Sequence, residues 1–362
     1  MKRILILVFF EALLFSFATA QQSSLIVLGD LHYDLLGDHD MEWLSARPGD
    51  LRQVTEEYSV YTQENWIDFM SGLKNRAEVV RPPVKCIIQL GDLSEGLAGS
   101  EDLALKMASN TMKAIEVAAV PVPWILAKGN HDITGPGAEE AFQKYYVPMI
   151  REQTRNPEIT GASYSYSYDN VLITCLDPWD RGRDMVAFLD QELSQSNAKF
   201  KFVAIHEPVI PVTERCWYTL RNDEEEREKL LHVIAKNKAI VLCGHLHRYS
   251  VVRRNTPSGP IVQVMVVSVV KDRSYKTPSE VITEYGPSLA ANLPDWQPET
   301  LDARIAILSE EARHVGYYKQ SDLPGYAVIK LDEEKETIML EYYAAFGDKP
   351  YDTIDLTKLL KP

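Results

Sequence analysis

Short apolar runs alternate with amphipathic stretches along most of the chain. Runs at Leu25–Leu28, Val84–Leu90, Val122–Ala127, Tyr164–Tyr168, Val171–Leu176, Phe200–Ile205, Ala239–Cys243 and Ile261–Val269 predict strands. Continuous Val, Ile and Leu suit strands buried on both faces, which requires a layer on either side. Between them Trp66, Phe69, Met70, Leu73, Ala77 and Val80 recur at helical spacing, as do Leu103, Met107, Ala114 and Val117, and Met185, Phe188, Leu189 and Leu193. Further helices are predicted at Glu224–Lys236 and near Leu301–Arg313. Tyr164, Tyr166 and Tyr168 alternate with serines, and Asp169-Asn170 supplies a turn that pairs this strand with Val171–Leu176. Gly325–Asp355 reads as strands, with Asp332–Lys335 turning a hairpin. Strands alternating with helices predict a layered α/β fold. Asp34–Thr62 and Lys271–Leu323 break the alternation and are expected as long irregular segments, apart from the helix near 301–313. No linker, repeat or low-complexity tract divides the chain, so residues 21–362 are expected as one domain, with a core over 25–270 and an extension over 271–362 available to cap a site.

Composition narrows the class. With 362 residues, 45% hydrophobic and 25% charged, the chain can bury a full core. Lys+Arg minus Asp+Glu is 38 − 52 = −14, which disfavours a nucleic-acid polymer as partner. The densest acidic run, Asp223-Glu224-Glu225-Glu226, suits the start of a solvated helix. Lys2 and Arg3, the apolar stretch Ile4–Phe17 and Ala18-Thr19-Ala20 form a signal-peptide pattern over residues 1–20. Export, to the periplasm or the exterior, is therefore expected, with no stable membrane span after cleavage; Glu11 interrupts the stretch and argues against an anchor. Cys86, Cys175 and Cys243 lie inside apolar runs and suit a core, while Cys216 sits beside Trp217 in an irregular segment.

The candidate chemistry lies at strand ends. LIVLGDLHYD places Asp30 and His32 after the first strand, and CIIQLGDLSEG places Asp92 after the next. WILAKGNHD supplies Asn130, His131 and Asp132, FVAIHEP supplies His206, and IVLCGHLH supplies His245 and His247. Five of the eight histidines fall in these motifs. The carboxyl ends of parallel strands open into the crevice where ligands bind. Asp, Asn and neutral imidazole suit divalent transition ions. Asp30, His32, Asp92, Asn130, His206, His245 and His247 are too many for one tetrahedral ion and suit a pair sharing a carboxylate, an arrangement that clamps both oxygens of a phosphoryl displacement.

The ordered set GDLH, GD, GNHD, IHEP and GHLH resembles the calcineurin-like metallophosphoesterases, over roughly Leu25 to Val270. The resemblance implies a four-layer α/β/β/α sandwich of two mixed sheets. It further implies two divalent transition-metal ions (Mn, Fe or Zn), a small phosphate-ester substrate, mono- or diester, and attack by metal-bound hydroxide. Asp30, His32 and His247 would hold one ion, Asn130, His206 and His245 the other, with Asp92 bridging. His131 would assist the leaving group, and Glu95 stands where some relatives carry an Asp that orients it; its longer reach leaves a surface carboxylate as the alternative. Asp132 is expected to fix its loop by hydrogen bonding. Trp43, Trp217, Tyr218 and Trp296 are candidates either for stacking on a leaving group or for loop packing. The rival reading is a metal-free or non-catalytic exported binding or scaffold protein on the same fold. His39, His232 and His314 match no motif.

Overall fold

The computed structural model describes residues 21–212, 224–290 and 300–362. The signal-peptide segment, Cys216, Trp217, Tyr218, Asp223 and Trp296 lie outside these residues. The strands are β1 (Gln22–Leu28), β2 (Val84–Gln89), β3 (Trp124–Leu126), β4 (Tyr164–Tyr168), β5 (Val171–Leu176), β6 (Phe200–Ile205) and β7 (Ile240–Cys243). They continue with β8 (Tyr249–Thr256), β9 (Gly259–Met265), β10 (Val281–Ile282), β11 (Val315–Ser321), β12 (Gly325–Asp332), β13 (Thr337–Ala344) and β14 (Pro350–Asp355). They form a six-stranded sheet, β14-β13-β12-β1-β2-β3, and an eight-stranded sheet, β10-β11-β8-β9-β7-β6-β5-β4.

Both sheets are mixed. β1, β2 and β3 run parallel, joined by crossovers through helices Ser59–Val79 and Glu101–Ala118. β5, β6, β7 and β9 are also mutually parallel. The pleat sorts the second sheet's side chains between two apolar layers. Ile173, Cys175, Phe202, Ala204, Ile240 and Leu242 join the core between the sheets. Leu172, Leu176, Val203, Ile205, Val241 and Cys243 instead pack with Leu189, Leu193, Leu230 and Leu231 of the outer helices Met185–Gln195 and Glu224–Lys236. Phe69, Met70 and Leu73 of one crossover helix, and Met107 and Ile115 of the other, pack with the first sheet. The expected four-layer sandwich is the observed architecture.

Three features differ from the sequence pattern. Most of Asp34–Thr62 is helical, through Leu36–Asp38, Met41–Ser45, Pro48–Arg52 and a π-helical turn Gln53–Tyr58 that runs into Ser59–Val79. Asp40 caps Met41–Ser45 by accepting the N–H groups of Glu42 and Trp43, and Pro48 opens the next helix. Its apolar positions Leu51, Val54 and Tyr58, spaced by three and four, are diluted by polar neighbours. Second, β8 and β11 form where the basic and tyrosine-rich stretches show no long apolar run. Third, residues beyond 270 contribute to both sheets: β12 pairs directly with β1, and β11 with β8. Cys86, Cys175 and Cys243 are buried in the core as expected. Among the described residues no helix is long and apolar enough to cross a membrane.

Tyr249 of β8 and Tyr342 of β13 stack at 3.8 Å between the sheets, both fully buried, with their hydroxyls donating to Asp352 and to the Leu323 carbonyl. Tyr342→Ala is predicted to destabilise the fold by about 3–5 kcal/mol, as aromatic truncations in cores do, measurable by equilibrium urea unfolding. A loss below about 1 kcal/mol would show that the two sheets do not depend on this contact.

Candidate metal centre

Each motif follows the carboxyl end of a parallel strand: Asp30 and His32 follow β1, Asp92 β2, Asn130 and His131 β3, His206 β6, and His245 and His247 β7. Because β1–β3 belong to one sheet and β6–β7 to the other, the site forms where the two sheet edges meet. An isolated bridge between Asp30 and Val267 ties those edges together. Gly29 permits it, since a Cβ there would lie 1.9 Å from the Val266 carbonyl oxygen. Four candidate ligands hold left-handed backbone: His32 (φ 45°), Asp92 (φ 52°), His245 (φ 74°) and His247 (φ 48°). Non-glycine residues adopt this region rarely and at a cost, and such strain concentrates at functional sites.

The structure brings all seven expected ligands together. Asp30, His32 and His247 form one group, and Asp92, His206 and His245 another, the candidate ligand atoms of each lying within 4.8 Å of one another. Asn130 joins the second through Oδ1, 3.1 Å from His206 Nε2. Asp92 Oδ2 lies 3.1 Å from His206 Nε2 and 3.8 Å from His32 Nε2, so it stands between the groups. His247 Nε2 is 3.0 Å from His32 Nε2 and 3.5 Å from Asp30 Oδ1.

The protons these residues carry suit them to cations. His206 Nδ1 is 2.7 Å from the Leu90 carbonyl oxygen, which can only accept, so Nδ1 carries the proton. In neutral His206 the Nε2 lone pair then faces Asp92 Oδ2 and Asn130 Oδ1, two further acceptors. Such a buried constellation needs a positive charge at its centre. Burial alone would lower the His206 pKa, yet the Asp92 and Asp30 carboxylates raise it to about 10. A proton can hold this position, and so can a metal ion. Burial and His131 instead keep His32 well below the usual imidazole range, which leaves it neutral and able to ligate. The donor set is nitrogen and oxygen only, as borderline divalent ions prefer.

Supporting residues refine the expectations. Asp132 is buried and accepts the backbone N–H groups of Asp92, Leu93, Ser94 and Gly129 at 2.9–3.1 Å, joining the second and third motif loops as its position suggested. Glu95 was expected to face His131. Its carboxylate instead lies closest to His32, at 2.6 Å from Nδ1, and 3.5 Å from His131 Nδ1. His131 donates Nδ1–H to the Glu95 main-chain carbonyl at 2.7 Å. Thus residue 95 orients both histidines, one by side chain and one by backbone. A carboxylate behind a ligating imidazole fixes its tautomer and raises its basicity. Burial, together with Asp34 and Asp92, raises the Glu95 pKa well above the carboxylate norm, a shift that a cation at His32 would oppose.

Two residues near the site carry no motif. Tyr58, from the π-helical turn, stacks on His32 at 4.1 Å and 9°. Trp179, in the turn after β5, lies 6.2 Å from the His206 ring. The π turn leaves no signature in the residue pattern, and Trp179 follows an ordinary strand with no adjoining motif. Trp43 packs its ring against Arg47 at 3.8 Å and against the cluster of Leu44, Val54 and Leu97, which favours loop packing. His39 bonds Asp34 and the Leu97 carbonyl, anchoring the segment that leads to Tyr58, while His232 bonds Ser258.

Residues 23–249 match the family of the calcineurin-like phosphoesterases. The chain belongs to this family. Among solved structures, a purple acid phosphatase from yellow lupin (Lupinus luteus) seeds is similar at 14% identity and a TM-score of 0.54, over 93% of this chain and 54% of the lupin chain. The protein thus spans about half the length of that relative. A dimetal phosphatase from Danio rerio gives a TM-score of 0.49 at 12% identity, covering 92% of this chain and 98% of its own. No curated protein matches the sequence. The clustered nitrogen and oxygen donors are of a kind that suits divalent metal ions.

Because His206 holds a proton at neutral pH when no metal is bound, metal uptake must expel it. Titrating metal-stripped protein with Mn(II) or Zn(II) in weak buffer at about pH 8 is predicted to release at least one proton per chain, read with a pH indicator. Uptake without proton release would contradict the assigned protonation of His206.

Proposed function

We propose that this calcineurin-like phosphoesterase hydrolyses small phosphate mono- or diesters, with Asp30, His32 and His247 holding one divalent ion, Asn130, His206 and His245 the second, and Asp92 bridging. The observation that carries this reading is the position of Asp92 Oδ2 between two groups of inward-facing nitrogen and oxygen acceptors. When bound, two such ions polarise the phosphoryl oxygens and make water nucleophilic near neutral pH. Asp132 ties the Asp92 loop, through three of its backbone N–H groups, to the Gly129 N–H of the next motif loop, so the bridging carboxylate is positioned before substrate arrives.

His131 is the group suited to the leaving oxygen. Its backbone N–H donates to Asp92 Oδ1 at 2.8 Å, which ties it to the bridging carboxylate. Its Nδ1–H is committed to the Glu95 carbonyl, leaving Nε2 to carry and deliver a proton. The His131 side chain is 19% exposed, whereas those of His32 and His206 are fully buried, so a substrate can reach it. Small esters fit this reading better than polynucleotides because the net charge of −14 opposes a polyanion. The signal-peptide pattern of residues 1–20 supports export; mass spectrometry of the exported chain should find a new terminus at Gln21, and an intact Met1 would contradict it.

His131→Ala in metal-loaded protein is predicted to lower kcat on an aryl phosphate by about 10²–10⁴-fold, with metal content by elemental analysis unchanged. Retained kcat would remove His131 from the reaction, and no turnover of any aryl phosphate mono- or diester by the loaded parent protein would contradict the proposed activity.

A further inference from the structure

We propose that Tyr58 is a positioning residue for His32, holding the plane of that imidazole for the ion at Asp30, His32 and His247; the proposal rests on the dinuclear reading above. The two rings stack face to face, with centroids 4.1 Å apart and planes 9° from parallel. Glu95 Oε2 meets the edge of His32 at Nδ1, 2.6 Å away. A single hydrogen bond at one ring atom still lets the imidazole swing about that bond. A flat contact on its face removes this freedom, so the edge and the face together leave Nε2 one direction in which to point. Tyr58 also makes an edge contact with the His247 ring at 6.3 Å and 85°, placing it over two of the three groups at this position.

Tyr58 is itself immobilised. It is 4% exposed and packs in a cluster with Val267, Val269 and Tyr61, next to the Val267 backbone that bridges to Asp30. It ends the π-helical turn Gln53–Tyr58, where both the backbone N–H and the hydroxyl of Ser59 donate to the Val54 carbonyl. A π turn carries an extra residue relative to an α turn and shifts helical phase by about 100°. Tyr58 faces His32, Val54 packs with Leu44 and Leu97, and Phe69, Met70 and Leu73 of the continuing helix face the first sheet. π turns are rare and recur at functional sites. Here the irregularity delivers the aromatic face against His32.

The test uses the full chain, stripped of metal and titrated with Mn(II) by calorimetry and with Co(II) by visible absorption, in Tyr58→Phe, Tyr58→Leu and Tyr58→Met variants whose folding is checked by thermal melting. Phe keeps the planar face and should bind both ions as the parent does. Leu and Met supply apolar bulk without a plane. They should lose about 10–100-fold affinity for one ion, alter the Co(II) spectrum of that position, and leave the other ion unchanged. Equal weakening of both ions would indicate general destabilisation and overturn the proposal, as would parent-like affinities in Leu and Met, or a loss in Phe as large as in Leu. A parent protein that binds no ion would instead refute the dinuclear reading, and this proposal with it.

Discussion

Acceptors buried together repel one another unless positive charge lies among them, and the rest of this site follows from that constraint. The edges of two sheets bring Asp30 and Asp92, the Asn130 amide oxygen and imidazole nitrogens of His32, His206 and His247 to within about one hydrogen-bond length of a neighbour. Folding alone supplies one partial remedy, a proton on His206, drawn there by Asp92 and Asp30. The same negative potential makes the cavity attractive to divalent cations. Metal affinity in this protein is thus the counterpart of an electrostatic conflict that the fold maintains.

The scaffold maintains it by covering the candidate ligands with interactions of its own. Four of them occupy left-handed backbone, which persists only because neighbouring contacts over-determine the loops. Asp132 gathers four N–H groups from two loops, the Leu90 carbonyl fixes the tautomer of His206, and the Asp30 carboxylate accepts the His245 N–H. Glu95 acts on His32 by its side chain and on His131 by its carbonyl, so one residue coordinates a ligand and the proposed proton donor. These partners are as much a part of the centre as the ligands, since they decide which nitrogen faces inward.

Much of this was legible in the residues because strand-end motifs are local: an apolar run predicts a strand, and polar residues following it fall at the sheet edge. Asp30, His32, Asp92, Asn130, His206, His245 and His247 announce themselves in this way, as do the continuous apolar runs that require a layer on each face of the second sheet. What stayed hidden is non-local or phase-dependent. The pairing of β12 with β1 joins residues some three hundred positions apart, and no local pattern marks it. The helical character of residues 41–58 is masked by polar positions around a few buried ones, and the π turn that ends at Tyr58 carries no compositional mark. Glu95 was placed by analogy of position against His131; its carbonyl does meet His131, while its carboxylate lies nearer to His32. Membership of the calcineurin-like phosphoesterases accounts for the shared ligand order, while the aromatic contacts of His32 are read from this chain's own geometry.

The central claim is that the clustered acceptors house two neighbouring cations. Anomalous diffraction from crystals soaked in Mn(II) or Zn(II) tests it most directly. The account predicts two peaks about 3.5–4 Å apart, one against Asp30, His32 and His247 and one against Asn130, His206 and His245, with Asp92 touching both. A single peak, or peaks elsewhere with these side chains unligated, would contradict it.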